Sequence, residues 1–422
     1  MKVKNAFLFL PLLLAAVLLA CNSTKQGFFT RKTPHENYAS GLQQAGLSAT
    51  RLAILWQQAA ERSLAQPLKI TLPFKESGYF AVDNPGAAGY QFSLRRGEKL
   101  SVGVSRRPAL RNIFFIELWE ALADRSPNLL VAADTAASSI EYTIQRAGIY
   151  IIRLQPELLQ GVSYQLAISK GASLAFPINK NDKPSIISLW GVGRDAGVRK
   201  HEGIDILAKK RTPVLAIAPG YISSTRENNL GGKVVFLAPD NMNINLYYAH
   251  LDTTWVQANQ RVRIGDTLGL TGNTGNARNT VSHLHFGIYT GSGAIDPLPF
   301  IQANKPEAKP VQSDTALLGR FVRLKNGQPG DAGSIAKILS AMENNYKIQF
   351  PDKREVIVRE KDVTTQPLSS RNSGTAEAMY DMPDSTSALS AIIEPGSIFV
   401  VLGNFQGYAY CQWKQNVGWV KK

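Results

Sequence analysis

Four of the five histidines in this chain of 422 residues lie between His201 and His285. Imidazole is the commonest protein ligand for metal ions and a frequent general acid or base near neutral pH. Asp205 lies in the same segment and offers a carboxylate oxygen. Two cysteines in the whole chain exclude a thiolate zinc site, which needs more of them close together. The cluster therefore indicates a metal site built from imidazole and carboxylate donors.

The first element of the cluster reads His-Glu-Gly-Ile-Asp, from His201 to Asp205. A helix would place the first and last residues on one face, but the central glycine and the β-branched residues around Asp205 disfavour a helix. On a straight strand the two residues would lie about 13 Å apart, at roughly 3.3 Å per residue. One metal ion can bind both only if the chain bends, and Gly203 is where a bend costs least.

The other histidines belong to two predicted strands. In His283-Leu284-His285-Phe286, alternation places both imidazoles on one face and the apolar side chains on the other. The segment Tyr247-Tyr248-Ala249-His250-Leu251 delivers a further imidazole at a strand end. The spacing does not decide which histidines bind the metal.

Taken in order, these elements resemble the M23 peptidases, the lysostaphin-like zinc metallo-endopeptidases of the bacterial cell wall. The resemblance runs from about Leu189 to Pro299. Its motifs are Gly193-Arg194-Asp195, His201-Glu202-Gly203-Ile204-Asp205, Thr212-Pro213-Val214, Tyr248-Ala249-His250-Leu251, Gly272-Asn273-Thr274-Gly275 and His283-Leu284-His285-Phe286. The family usually has glycine before its Thr-Pro-Val stretch, where this chain has Arg211, and a positive φ there would carry a steric cost.

The resemblance implies one zinc ion per chain, bound by His201, Asp205 and His285. It implies that His250 and His283 are the catalytic imidazoles and that Glu202 is not the general base. Three protein ligands leave a fourth position for water.

The implied activity is hydrolysis of peptide cross-links in peptidoglycan. The alternatives are a non-catalytic or latent relative that binds peptidoglycan or activates another hydrolase, an endopeptidase acting on protein, and an amidase. In a latent form, Asn179 or Asn181 would fill the fourth zinc position.

These residues must be positioned by strands, because short segments of alternating apolar and polar residues, separated by glycine and proline turns, recur along the chain. The pattern predicts a mainly β chain. We expect a β-sandwich-like N-terminal domain, a central antiparallel sheet with the histidines, and a C-terminal SH3-like barrel ending in the Val417-Gly418-Trp419-Val420 stretch. The spacing of Leu52, Leu55, Trp56 and Ala59 predicts an amphipathic helix before the sandwich.

The predicted boundaries are a signal peptide at 1–20, a tether at 21–40, the helix and sandwich at 41–170, a connector at 171–184, the peptidase domain at 185–302, a linker at 303–316, a small β segment at 317–372 and the SH3-like module at 373–422.

The chain starts like an exported lipoprotein. Lys2 and Lys4 precede an apolar run from Ala6 to Ala20, which is short for a membrane span. The run ends Leu-Leu-Ala-Cys, which resembles a bacterial lipobox with Cys21 as the lipidated residue. We therefore expect an envelope location, lipid-anchored and periplasmic or outer-membrane.

The formal net charge of +15 favours attraction to an anionic envelope polymer. The sequence has no basic run or recognition motif for nucleic acid, so nucleic acid is not an expected partner. Cys411 is expected to be a small buried apolar residue.

Overall fold

The computed structural model describes residues 32–107, 113–123, 125–194, 197–302, 307–326 and 330–422. The predicted signal peptide and Cys21 lie outside the described residues. Within them, no helix combines the length and apolar character that a membrane span requires. The chain divides into two units, residues 1–48 and residues 49–422.

In the first unit, helix α1 spans Pro34–Gln44. The Thr33 hydroxyl accepts a hydrogen bond from the Glu36 amide, and the Glu36 carboxylate accepts one from the Thr33 amide. This reciprocal cap, with proline at the first helical position, is a strong signal for a helix start. The helix thus occupies the last part of the segment expected to be a tether.

In the second unit, helix α2 spans Arg51–Ala65 and contains the apolar residues whose spacing predicts a helix. Its buried face includes Trp56, whose indole nitrogen donates to the Pro156 carbonyl at 2.8 Å. Gly89 allows this packing, because a Cβ there would lie 1.8 Å from the Ser63 carbonyl oxygen.

Two sheets form the predicted sandwich. Sheet I has the order β1-β3-β8-β5-β6 and sheet II the order β25-β24-β23-β2-β9-β4-β7, with β22 and β26 attached through β23. The strands of sheet I are β1 (Leu68–Lys69), β3 (Ala88–Leu94), β5 (Phe114–Leu122), β6 (Arg125–Ala132) and β8 (Gly148–Pro156). The strands of sheet II are β2 (Phe74–Phe80), β4 (Glu98–Arg107), β7 (Ser139–Thr143), β9 (Val162–Ala172), β22 (Phe321–Leu324), β23 (Ile335–Met342), β24 (Asn345–Gln349), β25 (Glu355–Arg359) and β26 (Val363–Thr364).

Residues from both sheets share one apolar core, which is the physical definition of a sandwich. Sheet II also joins two segments that are predicted to be separate, residues 41–170 and residues 317–372. Strand β2 pairs antiparallel with β23, with Ser77 opposite Ala341 and Gly78 opposite Ser340. The strands after residue 317 therefore extend sheet II, but their apolar side chains form a separate core that also includes Phe405 and Trp419 of the terminal segment.

Sheet III carries the histidine cluster and has the order β10-β13-β20-β17-β16-β15-β18. Strand β19 pairs with β14 and β17, β21 pairs with β20, and β11 and β12 form a small ribbon beside the sheet. The strands are β10 (Ser185–Ser188), β11 (Gly193–Arg194), β12 (Arg199–Lys200), β13 (Ile204–Leu207), β14 (Pro213–Leu215), β15 (Gly220–Asn228), β16 (Gly232–Pro239), β17 (Asn245–Thr254), β18 (Arg261–Val262), β19 (Thr267–Thr271), β20 (His283–Thr290) and β21 (Gly293–Ile295).

The short helix α3 spans Leu298–Ile301 and packs into the core under sheet III. Leu174 and Ile178, from the predicted connector, belong to the same core. The connector is thus anchored to the sheet by burial.

Sheet IV ends the chain and has the order β27-β30-β31-β32-β28-β29. Its strands are β27 (Ser369–Asn372), β28 (Glu377–Tyr380), β29 (Leu389–Ile393), β30 (Ile398–Phe405), β31 (Tyr408–Trp413) and β32 (Asn416–Lys421). Cys411 is buried in its core, as predicted, and burial raises the pKa of its thiol to about 12. The mainly β architecture with antiparallel sheets is confirmed, whereas the SH3-like character of sheet IV stays a prediction.

Candidate active site

The site is built on three neighbouring strands of sheet III. Asp205 on β13 lies directly opposite His285 on β20, and His285 lies opposite Ala249 on β17. Residues that face each other across paired strands project from the same side of the sheet. This register brings a carboxylate and an imidazole together although they are far apart in sequence.

His201 reaches the same point from outside the strands. The Gly191 amide donates to the His201 carbonyl, and the His201 amide donates to the Val192 carbonyl, which fixes the backbone before β13. Gly203 allows the turn into β13. A Cβ there would lie 2.6 Å from the Phe286 carbonyl oxygen and 2.7 Å from Cε1 of His285. The glycine is therefore required by close approach of the chain to the site.

The atoms that could bind a metal ion are close together. His201 Nε2 lies 3.0 Å from Asp205 Oδ1 and 3.0 Å from His285 Nδ1, and His285 Nδ1 lies 3.0 Å from Asp205 Oδ1. All three residues offer one atom each within 4.8 Å of one another. Two imidazole nitrogens and a carboxylate oxygen form a donor set that suits zinc.

His250 reaches the site through a β-bulge. On β16, Lys233 and Val235 are two positions apart, whereas on β17 their partners Leu251 and Tyr248 are three positions apart. His250 lies in this bulge with φ of +62°. Ala249 lies opposite His285 and faces the site, so in a regular strand the next residue, His250, would face the other side of the sheet. The His250 ring centroid nevertheless lies 5.0 Å from that of His283. A bulge that re-aims a side chain and a left-handed residue are features that cluster at functional sites.

Three imidazoles have one nitrogen fixed by a backbone carbonyl. Nδ1 of His201 lies 2.8 Å from the Leu189 carbonyl, Nδ1 of His250 lies 2.9 Å from that of Thr274, and Nδ1 of His283 lies 2.8 Å from that of Val281. A carbonyl oxygen only accepts, so each of these Nδ1 atoms carries a proton. In the neutral rings of His250 and His283, Nε2 then keeps a lone pair. His201 Nε2 lies 3.0 Å from Asp205 Oδ1, where it donates a hydrogen bond if it carries a proton and can bind a metal ion if it does not. This arrangement orients rings in metal and acid–base sites.

Burial and neighbouring charges tune the site. Burial alone would raise the pKa of the Asp205 carboxyl, but hydrogen bonds with His201 and His285 outweigh burial and lower that pKa. Burial lowers the pKa of His250 to about 4, with further lowering from His283 and His285. Burial also lowers the pKa of His285. Asp205 is therefore ionised and these two imidazoles are neutral at pH 7.

No role was predicted for Arg194, although it lies within one of the motifs of the resemblance. Its guanidinium donates to Asp205 Oδ2 at 2.5 Å and to the Ser188 hydroxyl at 2.9 Å. Asp205 thus has one oxygen held by a cation and the other facing the histidines. Within the sequence, the only signal for this role was a basic residue a few positions before His201.

The remaining candidates lie at the edge of the site or outside it. Glu202 is exposed, and the Tyr289 hydroxyl donates to its carboxylate at 3.4 Å. Asn179 and Asn181 are exposed, and the Asn179 side chain accepts from the Asn181 amide in a local turn. Arg211 has φ of +69°, so the position where glycine was expected does adopt the left-handed conformation.

An antiparallel sheet that gathers two imidazole nitrogens and a carboxylate, with two further imidazoles beside them, has the chemistry of a metal-dependent hydrolase. Residues 199–297 match the model of peptidase family M23. The match falls on the segment whose motifs resemble this family.

Three relatives illustrate the match. The chain is 27% identical to an uncharacterized metalloprotease of Haemophilus influenzae over 157 residues. The aligned region covers 37% of this chain and 31% of that protein. It is 32% identical over 141 residues to an L-Ala–D-Glu endopeptidase of Bacillus subtilis, which covers 31% and 43%. It is 32% identical over 117 residues to a peptidoglycan DD-endopeptidase of Vibrio cholerae, which covers 26% of each. The matched segment thus spans less than half of each relative.

Proposed function

We propose that this protein is a zinc-dependent endopeptidase that hydrolyses peptide cross-links of cell-wall peptidoglycan. The observation that carries the proposal is the cluster of His201, Asp205 and His285, whose donor atoms lie 3.0 Å apart, with His250 and His283 beside it. The M23 domain and the relatives named as endopeptidases support the substrate class.

In this proposal His201, Asp205 and His285 hold the zinc ion. Bound zinc would polarise the scissile carbonyl and make water a stronger nucleophile at neutral pH. Arg194 keeps Asp205 oriented by holding its second oxygen. All five positions of the implied ligand and catalytic set are filled, which supports an enzyme over a non-catalytic relative.

His250 and His283 are the proposed proton carriers. Their Nδ1 atoms are held by carbonyls, so the Nε2 lone pairs are available to accept a proton from the attacking water. As the water oxygen bonds to the carbonyl carbon and the carbon–nitrogen bond breaks, the same imidazoles return a proton to the leaving amine. Proton-transfer groups of this kind contribute about 10²–10⁴-fold to rates.

The location is also a proposal. Lipidation at Cys21 would anchor the chain in the cell envelope, and two or three acyl chains would anchor it stably. The β-sandwich and the terminal SH3-like module would then position sheet III against the wall polymer.

The test is incubation of the purified full chain, in non-ionic detergent, with peptidoglycan, followed by mass analysis of the released muropeptides. We expect loss of cross-linked dimers that a chelator abolishes and that zinc restores. His283→Ala should bind zinc but lose at least about 100-fold in rate, since it removes a proton carrier and leaves the proposed ligands intact. His35→Ala, outside the cluster, is the matched control. Stoichiometric zinc without any cleavage would refute the enzyme and favour a latent or activating role.

A further inference from the structure

A second site lies away from the histidine cluster. A cavity of about 690 Å³ lies between helix α2, strand β2 and the strands β23 to β25. Its size falls within the range of roughly 300–1,000 Å³ that is typical of pockets for small ligands. None of the five residues of the proposed catalytic site lines it.

One wall is a face of helix α2. Leu55, Ala59 and Arg62 line the cavity at helical positions i, i+4 and i+7, and Gln66, directly after the last helical residue, also lines it. Residues at this spacing share one face of a helix. The adjoining face is buried against the sandwich through Trp56 and its neighbours, so the wall is held in place by the core.

The inner end of the cavity contains two buried polar groups, Glu76 and Ser340, whose hydrogen bonding is incomplete among the described residues. Glu76 Oε1 accepts hydrogen bonds from the hydroxyls of Tyr90 and Tyr164. Among the described residues, Glu76 Oε2 and the Ser340 hydroxyl lie near each other without a well-formed hydrogen bond to any group, and both residues are 2% exposed. Unpartnered buried polar atoms are costly, and a ligand with complementary groups would satisfy them. Gly78 makes this arrangement possible, because a Cβ there would collide with the Tyr164 ring.

Basic side chains dominate the charged lining. The basic residues are Arg62, Lys69, Lys337, Lys347, Lys353 and Arg354, and the acidic ones are Glu76 and Glu355. Lys347 and Glu355 neutralise each other at 2.6 Å. Burial raises the pKa of Glu76, which favours its uncharged form. The cavity therefore has an excess of positive charge.

The remaining cations lie near one another. Burial lowers the pKa of Lys353, and the charges of Lys337, Arg62 and Arg51 lower it further. Like charges gathered at the mouth of a cavity attract an anionic ligand and are stabilised when it binds. Leu55, Ala59 and Phe80 add an apolar surface beside them.

We propose that this cavity binds a short acidic peptide with two or more carboxylates, the chemistry of the stem peptides of the bacterial wall. The carboxylates would pair with Arg62, Lys337 and Lys353. Backbone amide and carbonyl groups of the peptide would reach Glu76 and Ser340, and a small side chain would lie on the apolar wall. A compact anion such as phosphate would leave those inner polar groups unsatisfied. This inference rests on the proposed function, because the site would hold the wall while sheet III acts on it.

Calorimetric titration of the full chain with the tripeptide L-Ala-γ-D-Glu-meso-diaminopimelate tests the proposal. Arg62→Gln and Lys337→Gln should each weaken binding at least about tenfold, as expected for losing a charge-assisted hydrogen bond. Lys421→Gln removes the same charge from an exposed position on β32 and should leave binding unchanged. Ala59→Phe should block the cavity without removing any charge.

Several outcomes would overturn the proposal. Equal weakening by Lys421→Gln would mean diffuse attraction by net charge. Equal binding of the tripeptide with its carboxylates amidated would exclude carboxylate recognition, and displacement by inorganic phosphate would assign the cavity to phosphate. Binding that is lost in His283→Ala but kept in Arg62→Gln would place the peptide in the catalytic site. Cleavage of a soluble cross-linked dimer, measured in the same variants, reports on the proposed enzyme separately, and the cavity variants should retain it.

Discussion

Replacing Arg194 by glutamine removes the cation that holds the second oxygen of Asp205. The guanidinium donates to Asp205 Oδ2 at 2.5 Å and to Ser188 at 2.9 Å. A hydrogen bond to a charged group contributes about 1.5–3 kcal/mol when it is buried. The Arg194 side chain is 37% exposed, so solvent screening places the expected loss at the lower end. We expect about 1.4 kcal/mol, which is tenfold weaker zinc binding.

The assay is a competition for zinc between the protein and a chromophoric chelator, which reads metal affinity independently of turnover. Arg194→Lys keeps the charge but loses the planar fork, so its affinity should fall between those of the wild type and Arg194→Gln. Arg261→Gln is the matched control. It breaks an exposed arginine–aspartate pair with Asp240, at 2.7 Å, elsewhere on sheet III.

If Arg194 positions Asp205, the three variants should differ in zinc affinity in a specific pattern. Zinc affinity should fall for Arg194→Gln, recover in part for Arg194→Lys and stay unchanged for Arg261→Gln. If Arg194→Gln binds zinc as tightly as the wild type, Arg194 does not position Asp205. If Arg261→Gln weakens zinc binding equally, the effect comes from net charge and the positioning role is refuted.

Two further predictions concern Gly203, at the turn into β13, and Glu76, in the cavity beside helix α2. Gly203→Ala should lower zinc affinity and the melting temperature, because its Cβ would lie 2.6 Å from the Phe286 carbonyl oxygen. Gly291→Ala is the control and should change neither property, because the space around Gly291 is open. Unchanged zinc affinity in Gly203→Ala would show that the chain at residue 203 shifts freely. As pH rises from 5 to 8, the free energy of unfolding of Glu76→Gln should increase relative to that of the wild type. Burial raises the pKa of Glu76 in the folded protein, so the stability that its neutral form contributes is lost as pH rises through that raised pKa. Glutamine does not ionise and loses nothing. Melting temperatures of both proteins across that range measure this, and a constant difference would contradict it.

Much of the site was accessible from local sequence. Alternation in His283-Leu284-His285-Phe286 predicts two imidazoles on one face, and β20 has this form. The fold class was also predictable, because period-two patterns and turn residues are local properties of the chain. The bend between His201 and Asp205 was predicted, but the requirement for Gly203 comes from the His285 ring and the Phe286 carbonyl.

Other features depended on which strands pair. The register that sets Asp205 opposite His285 joins β13 to a strand nearly eighty residues later along the chain. The bulge that turns His250 toward His283 is defined only by comparison with β16. The cavity near Glu76 exists because β2 pairs with β23, between segments that have no sequence signal for each other.

The sequence by itself determined the residue types, their order and the alternation that assigns each side chain to a face. The tertiary structure decided which faces meet, how Arg194 holds Asp205 and where sheet II gains its C-terminal strands. The physical reason is that alternation and turn preference act over a few residues, whereas strand pairing is selected by burial of the whole core and by satisfaction of backbone hydrogen bonds across the entire sheet.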